Sequence, residues 1–369
     1  MNHTARRLTC VTGLLSLAVL LIPSIASAHP TSVHTVRPGE SIQDALDRAR
    51  PGDTVVVRPG RYQENLELTT DRVTLLGYGA TLEAPQTPTP RRCSTASRLP
   101  TNPYGVCIAG DLEPGGPPTV LRQVLHVAVR GLTVGRFPST GLLTIGARGT
   151  RLDRVDVAGG RQYGILLANS TGTAITASKV HGGQSAGIYV GDSPESDTTI
   201  VGTQVFDNGF FGVFIRDSAR GHLIGNAIHD NCVGVGLLPT LPDQDTVSDW
   251  SVTANRIHDN NRFCPLADPP LTGIGLLVMG TARTHVTANS ISGNGLPAGS
   301  PAYQGGGLVL ITGAIFGGPE HTVDSRVHAN VLHDNQPVDI AVLDQGIRNQ
   351  LSGNRCRTST PDGLCGARP

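Results

Sequence analysis

Short apolar alternations run through most of the chain, as in Ile165/Leu167, Ile188/Val190 and Val213/Ile215. Period two with β-branched residues predicts strands of about five residues, not helices. One segment near the amino end departs from this rule. Ile42, Ala45, Leu46 and Ala49 recur at helical spacing and are stopped by Pro51 and Gly52. They predict a short helix, followed by a strand over Thr54–Val57 and a turn at Pro59, Gly60, Arg61 and Tyr62.

The alternating runs sit inside a repeated phrase. Val180-His181-Gly182-Gly183, Val205-Phe206-Asp207-Asn208, Ile228-His229-Asp230-Asn231, Ile257-His258-Asp259-Asn260 and Leu332-His333-Asp334-Asn335 are copies of it. A second phrase, glycine then apolar-x-apolar, follows at Gly164, Gly187, Gly212 and Gly234. Gly160 to Gly183 is 23 residues and Asn208 to Asn231 is again 23; later spacings stretch to 29, 34 and 41. The surplus falls in Gly-, Pro- and Asp-rich loops at 239–248, 261–271, 296–304 and 313–320. A unit this short cannot bury its own apolar face and must stack on its neighbours. Gly160, Gly183, Asn208, Asn231, Asn260, Asn294 and Asn335 share one position, where left-handed backbone is expected because Gly and Asn tolerate it. Asn226, Asn255, Asn289, Asn330 and Asn354 form a second column, able to bond along the stacking axis.

On these repeats the chain resembles the right-handed parallel β-helix proteins of the pectin-lyase-like superfamily. The implied fold class is all-β: a single-stranded right-handed parallel β-helix with a short N-terminal capping helix. Residues 36–52 resemble the cap of such proteins, which shields otherwise unpaired strand edges. Residues 29–369 are then one solenoid, with a Pro-rich loop insertion at 84–118 and a disulfide-closed carboxyl end at 350–369.

Residues 1–28 carry Arg6 and Arg7, an apolar run over 8–25 and Ala26-Ser27-Ala28, the pattern of a secretory signal cleaved after Ala28. No other apolar stretch is long enough to span a membrane. Without Cys10, six cysteines remain for an oxidising compartment. Their order suggests Cys93 with Cys107, Cys232 with Cys264 and Cys356 with Cys365, although 15 pairings are open to six cysteines. Net charge is zero and Lys179 is the only lysine, so there is no electrostatic footprint for nucleic acid. A secreted monomer is expected.

Candidate chemistry lies in three consecutive coils. Of 14 aromatic residues, Tyr163, Tyr189, Phe206, Phe210, Phe211 and Phe214 fall there. The alternation aims Leu166, Tyr189 and Phe214 outward in one column, with Arg216 next and Asn169, Asp192 and Asp217 at the following turn. Aromatic faces beside arginine suit an acidic sugar, since the ring stacks and the guanidinium pairs with the carboxylate. The alternative is packing of the cluster beneath the 84–118 insertion. The resemblance implies binding of a polysaccharide or cell-wall glycan, with lyase or C5-epimerase chemistry on a uronic acid as the enzymatic form. Arg216 would serve as base or charge stabiliser, Tyr189 as acid and Asp217 as a further catalytic group. Tyr163, Phe211, Phe214 and Asp192 would bind substrate, and a lyase would use Ca2+. Hydrolase and epimerase signatures are missing: Gly221-His222 continues into Leu223, and Tyr163-Gly164 into Ile165 and Leu166. A non-catalytic scaffold is therefore the competing class. At repeat level the chain also resembles copper-accessory proteins of nitrous oxide reductase maturation, for which His229 and His258 would be the metal candidates. The His-Asp column otherwise reads as solvated turn surface.

Overall fold

The computed structural model describes residues 30–95, 104–113, 119–242, 244–264, 270–296, 299–300 and 304–366; the signal expected at 1–28 lies outside them. Among the described residues, three long parallel sheets run the length of the molecule. Sheet I has twelve strands, from Val33–Val36 to Gln350–Ser352; sheet II has ten, from Gly60–Gln63 to Val331–His333; sheet III has eleven, from Leu66–Leu68 to Ser359–Thr360. Each regular coil contributes one strand to each sheet. The strand register advances one coil at a time, as in Ile165↔Ile188↔Val213↔Val235. This is the expected right-handed parallel β-helix. The residues that alternation aimed inward, among them Ile165, Leu167, Ile188, Val190, Val213 and Ile215, are buried in one continuous core.

At the amino end, the helix Ile42–Arg48 covers the first coil. Ser41 caps it by accepting from the Asp44 amide at 3.1 Å. Glu64 adds a second clamp, accepting from the Ile42 and Gln43 amides at 2.7 and 3.1 Å. Gly60–Gln63, expected as a turn, is a strand of sheet II: it pairs in register with Ala80–Glu83 and buries Tyr62. The 84–118 segment is also more than an insertion. Its Val106–Ala109 belongs to sheet III, between Leu66–Leu68 and Leu142–Ile145.

The corners decide the cross-section. Between sheets I and II, a left-handed residue (Gly225, Ala254, Ala288, Ala329 or Gly353, φ between +55° and +64°) precedes Asn226, Asn255, Asn289, Asn330 and Asn354. These asparagines are buried, and each Nδ2 donates to the Oδ1 of the next at 2.9–3.0 Å. That same Oδ1 accepts the backbone N–H of the previous asparagine, also at 2.9–3.1 Å. Between sheets II and III, Asn208, Asn231, Asn260, Asn294 and Asn335 form an equivalent ladder that ends on Asp339. Here the sequence reading was off by one residue. The left-handed positions are Asp207, Asp230, Asp259, Gly293 and Asp334, and the asparagines after them point inward. Asn was placed at the turn because it tolerates positive φ, but so does Asp. The inward position of this ladder uses both a donor and an acceptor, which the amide side chain has and an ionised carboxylate lacks.

The third corner, from sheet III to sheet I, has two columns. One is the left-handed Asn169, Asp192 and Asp217, each followed by an inward serine (Ser170, Ser193, Ser218). The hydroxyls of Ser193 and Ser218 accept the amides of Ser170 and Ser193 at 3.2 and 3.1 Å. The other is an alternating charge column in left-handed backbone: Asp197, Arg220, Asp249, Arg283, Asp324, Arg348. Arg220 grips Asp197 with two bonds of 2.8 and 2.9 Å, Arg283 grips Asp249 with two of 2.9 Å, and Arg348 grips Asp324 with two of 2.6 Å. Disulfides Cys93–Cys107, Cys232–Cys264 and Cys356–Cys365 join the expected partners. No helix among the described residues is long and apolar enough to cross a membrane.

Asn255→Ala removes one rung, leaving the buried Asn226 backbone N–H without its acceptor and taking one donor from the Leu223 carbonyl. The expected loss is about 3 kcal/mol of stability in urea unfolding; an unchanged midpoint would mean that water replaces the rung. Acid sensitivity is expected from Asp53. The Arg50 amide, then His34 and the Ser32 amide, hold its carboxyl down at about 2. Its stabilisation is thus complete above the ordinary carboxylate pKa of about 4 and is lost as pH falls toward 2. The melting temperature should be level down to about pH 4 and then drop, with a smaller drop in Asp53→Asn.

Candidate functional site

The outer face of sheet III holds the candidate residues. Strands Ile165–Ala168, Ile188–Ser193 and Phe211–Ser218 place Leu166, Tyr189 and Phe214 in one outward row and Ala168, Gly191 and Arg216 in the next. From Val106–Ala109 to Gln304–Ile311 that face is otherwise apolar, with Leu143, Leu277 and Val309 in the first row and Ile145, Leu238, Met279 and Ile311 in the second. Arg216 is the only charge in those rows.

This apolar face is covered, which corrects the simple picture of an exposed aromatic column. Cys93, Tyr104 and Cys107 pack over Leu143, Leu166 and Tyr189 on one side; Ile315, Phe316 and Val338 join the cluster around Leu277 and Val309 on the other. Tyr189 is left 5% exposed and Phe211 only 2%. Phe211 is wedged between Phe210 and Phe214, ring centroids 4.1 and 4.3 Å away, and offers no face to a ligand. Its role is to pack, not to bind substrate. Tyr163 and Phe214 are half-buried where the two clusters meet, and Tyr163 stacks on Tyr189 at 4.9 Å. Most of the aromatic mass is thus cover packing, and the seam at Tyr163 and Phe214 reaches solvent.

Arg216 lies at that seam. The Tyr189 ring lies flat along its own strand, over Gly191, where a Cβ would come within 2.1 Å of a ring carbon. Arg216, opposite Gly191 on the next strand, has its guanidinium carbon 5.5 Å from the ring centroid. Its Nη2 is 3.4 Å from Asp192 and its Nε 3.6 Å from Asp217. The Nε is buried and makes no hydrogen bond. The side chain remains 37% exposed. Burial opposes its charge, but Tyr189, Asp192 and Asp217 outweigh that and raise its pKa above the ordinary arginine value, so Arg216 stays a cation. The reading of Arg216 as a base is therefore set aside. Burial likewise pushes the Tyr189 phenol well above 10, against the opposing pull of Arg216.

The two carboxylates differ. Asp217 accepts from the Thr240 amide at 2.8 Å and from the Thr240 and Thr246 hydroxyls at 2.5 and 2.7 Å, which anchors the 239–248 loop. Asp192 is 53% exposed and opens into a cleft of about 440 Å³ lined by Thr119, Gln123, Asn169, Thr171 and Glu195. Pro194 also lines a second cleft of about 250 Å³ at Asp217, Gln244, Asp245 and Thr246. The far wall is the hairpin Asp111–Leu112 with Val120–Arg122, braced by Arg122 on Asp111 at 2.8 Å. These donors do not make a calcium cage: Asp217 is spent on threonines, Asp192 faces Arg216, and no group of three His, Cys, Asp or Glu able to hold a metal occurs among the described residues.

The His column is elsewhere, on the outer face of sheet II. His181, Phe206, His229 and His258 stack ring on ring at 5.0, 5.2 and 4.9 Å. His229 and His258 each bond their own neighbouring Asp through Nδ1, at 2.6 and 2.8 Å. Parallel rings send their remaining nitrogens out side by side instead of converging on one ion. The sequence showed the His column but not that Phe206 continues its ring stack, nor the Thr240 and Thr246 clamp on Asp217.

The profile of the family described as right handed beta helix region matches residues 140–356, more than half of the chain. In sequence, the chain matches none of the curated proteins. Among solved structures it is similar to the A-module of the Azotobacter vinelandii mannuronan C-5 epimerase AlgE6, with 16% identity and a TM-score of 0.57, covering 87% of this chain and 95% of that one. The AlgE4 A-module from the same organism gives 17% and 0.53, with the same coverage. The Dettilon tailspike protein gives 13% and 0.57, covering 88% of this chain but 58% of the tailspike. At these identities the likeness is one of fold.

Tyr189 should be the last of the tyrosines at this site to ionise. In an alkaline absorbance titration, Tyr189→Phe is expected to remove the latest phase and leave the earlier ones in place; loss of an early phase would show an unshifted phenol.

Proposed function

The chain belongs to the right-handed β-helix family, and from that premise we propose that it binds an extracellular polysaccharide carrying uronic acids, in the cleft beside Arg216. One observation carries this reading. Arg216 has a buried Nε with no hydrogen bond and only long contacts to Asp192 and Asp217, whereas Arg220, Arg283 and Arg348 are each taken up by two short bonds. A guanidinium held in place but under-bonded has capacity for an incoming carboxylate. Phe214 and Tyr163, at the open seam, supply ring edges and faces for the apolar side of a sugar. Secretion accords with the signal-like 1–28 segment and with three disulfides.

The same groups suit elimination or C5 epimerisation better than hydrolysis. Arg216 would pair with the C5 carboxylate and stabilise the charge that develops when the C5 proton leaves. The Tyr189 phenol, kept protonated by burial, would return a proton, to the departing glycosidic oxygen in a lyase or to C5 in an epimerase. Asp192 is the carboxylate nearest to the pair that opens to solvent, and the base role falls to it. Asp217 anchors the loop. Mannuronan C-5 epimerases are among the structural neighbours, which supports carbohydrate modification as the class.

Affinity electrophoresis through gels containing uronate polysaccharides tests the reading. Arg216→Gln should weaken retardation by about tenfold or more, the scale of a lost charge-assisted pair, while its melting temperature stays near that of the parent. Ultraviolet absorbance of unsaturated uronate ends would register lyase action in the same samples. Equal retardation of parent and variant would overturn the assignment of Arg216.

A further inference from the structure

The charge pattern of the cleft narrows the class of polymer, given the reading just proposed. The two neighbouring hollows, which share Pro194, are lined by four carboxylates, those of Asp192, Glu195, Asp217 and Asp245, and by no basic side chain. Arg216 lies between them, against Asp192 of one and Asp217 of the other. The other nearby cations are engaged. Arg220 is held by two bonds to Asp197, with Glu195 a further 3.8 Å contact. Arg283 is held by two bonds to Asp249, with Asp245 at 3.2 Å. Six carboxylates thus face three guanidiniums, and Arg216 is the one of the three that no carboxylate holds by a short bond.

Coils stack at about 4.8 Å, close to the length of one pyranose ring, so a chain running along the axis sets one sugar against each coil. A sugar at the Arg216 coil places its carboxylate on the guanidinium. The neighbours toward Glu195 and toward Asp245 meet exposed anions on the cleft walls. A carboxylate on those neighbours would sit against like charge on walls where carboxylates outnumber guanidiniums two to one, and like charges at contact distance repel.

We infer that Arg216, ringed by Asp192, Glu195 and Asp245, selects a heteropolysaccharide in which an acidic sugar is flanked by uncharged ones, and discriminates against polymers acidic at every sugar. Arg216 supplies the single anion subsite, and Glu195 and Asp245 act as specificity-determining residues by repulsion. Neither contacts Arg216, so both can be neutralised without disturbing the Arg216–Tyr189–Asp192 arrangement.

The test compares a polymer alternating glucuronate with N-acetylglucosamine against polygalacturonate and alginate of matched length. Binding is measured by calorimetry at low ionic strength with a chelator present, so that no divalent ion bridges carboxylates. The full-length protein should bind the alternating polymer about tenfold more tightly than either homopolymer, the effect of one like-charge contact. The double variant Glu195→Gln/Asp245→Asn should close that gap by strengthening homopolymer binding, with affinity for the alternating polymer little changed. Equal affinity of the parent for all three, or a gap that persists in the double variant, would overturn the inference. If, in that case, Arg216→Gln still abolishes binding, the uronate-binding reading stands without the discrimination. If Arg216→Gln changes binding of none of the polymers, both are overturned.

Discussion

Everything in this molecule depends on how the backbone turns three corners in each coil without stranding a polar group. At the regular corners of the central coils the chain takes one step into left-handed backbone and then points a polar side chain inward. That side chain accepts the N–H of the neighbouring coil, so the group exposed by the bend is paired inside the solenoid. Where the inward residue is asparagine, it also donates, and the column becomes continuous. An unpaired buried amide costs as much as several apolar contacts return. The corner ladders therefore permit the apolar interior to exist; they are not an ornament to it.

The same rule disposes of much that looked like chemistry. Asp192 and Asp217 stand where left-handed backbone is required, in a column with Asn169, so residue type alone marks no site there. What distinguishes them is their use: Asp217 holds a loop, while Asp192 faces the cleft and the one cation of an apolar face. The His-Asp pairs of sheet II likewise combine a left-handed aspartate with an outward ring that stacks on its neighbours.

The fold was legible because its signals are local. Alternation set the inward rows, and the recurring Asn marked the corners even though the bend itself lay one residue earlier. The alternating Asp-Arg column was present in the chain but hidden by unequal loops, since its members are 23, 29, 34, 41 and 24 residues apart. Only strand register brings them together. Burial of Tyr189 and Phe211 was legible only as an alternative, packing beneath the 84–118 insertion. The cover of Tyr189 comes from Cys93 and Tyr104 and that of Phe211 from packed neighbours on adjacent coils, which no periodicity within one repeat encodes. The under-bonded state of Arg216 is of the same kind, since it depends on where Thr240 and Thr246 send their hydroxyls.

The Asp197-to-Arg348 column has a consequence for assembly of the solenoid. Parallel coils of similar sequence could in principle stack with one coil skipped, because apolar rows and asparagines would still match. In this column, leaving out a coil would place aspartate on aspartate or arginine on arginine, in backbone already bent at positive φ. Alternation of sign thus acts as a parity check on coil order, and the uniform asparagine ladders, which accept any neighbour of their own kind, cannot supply one.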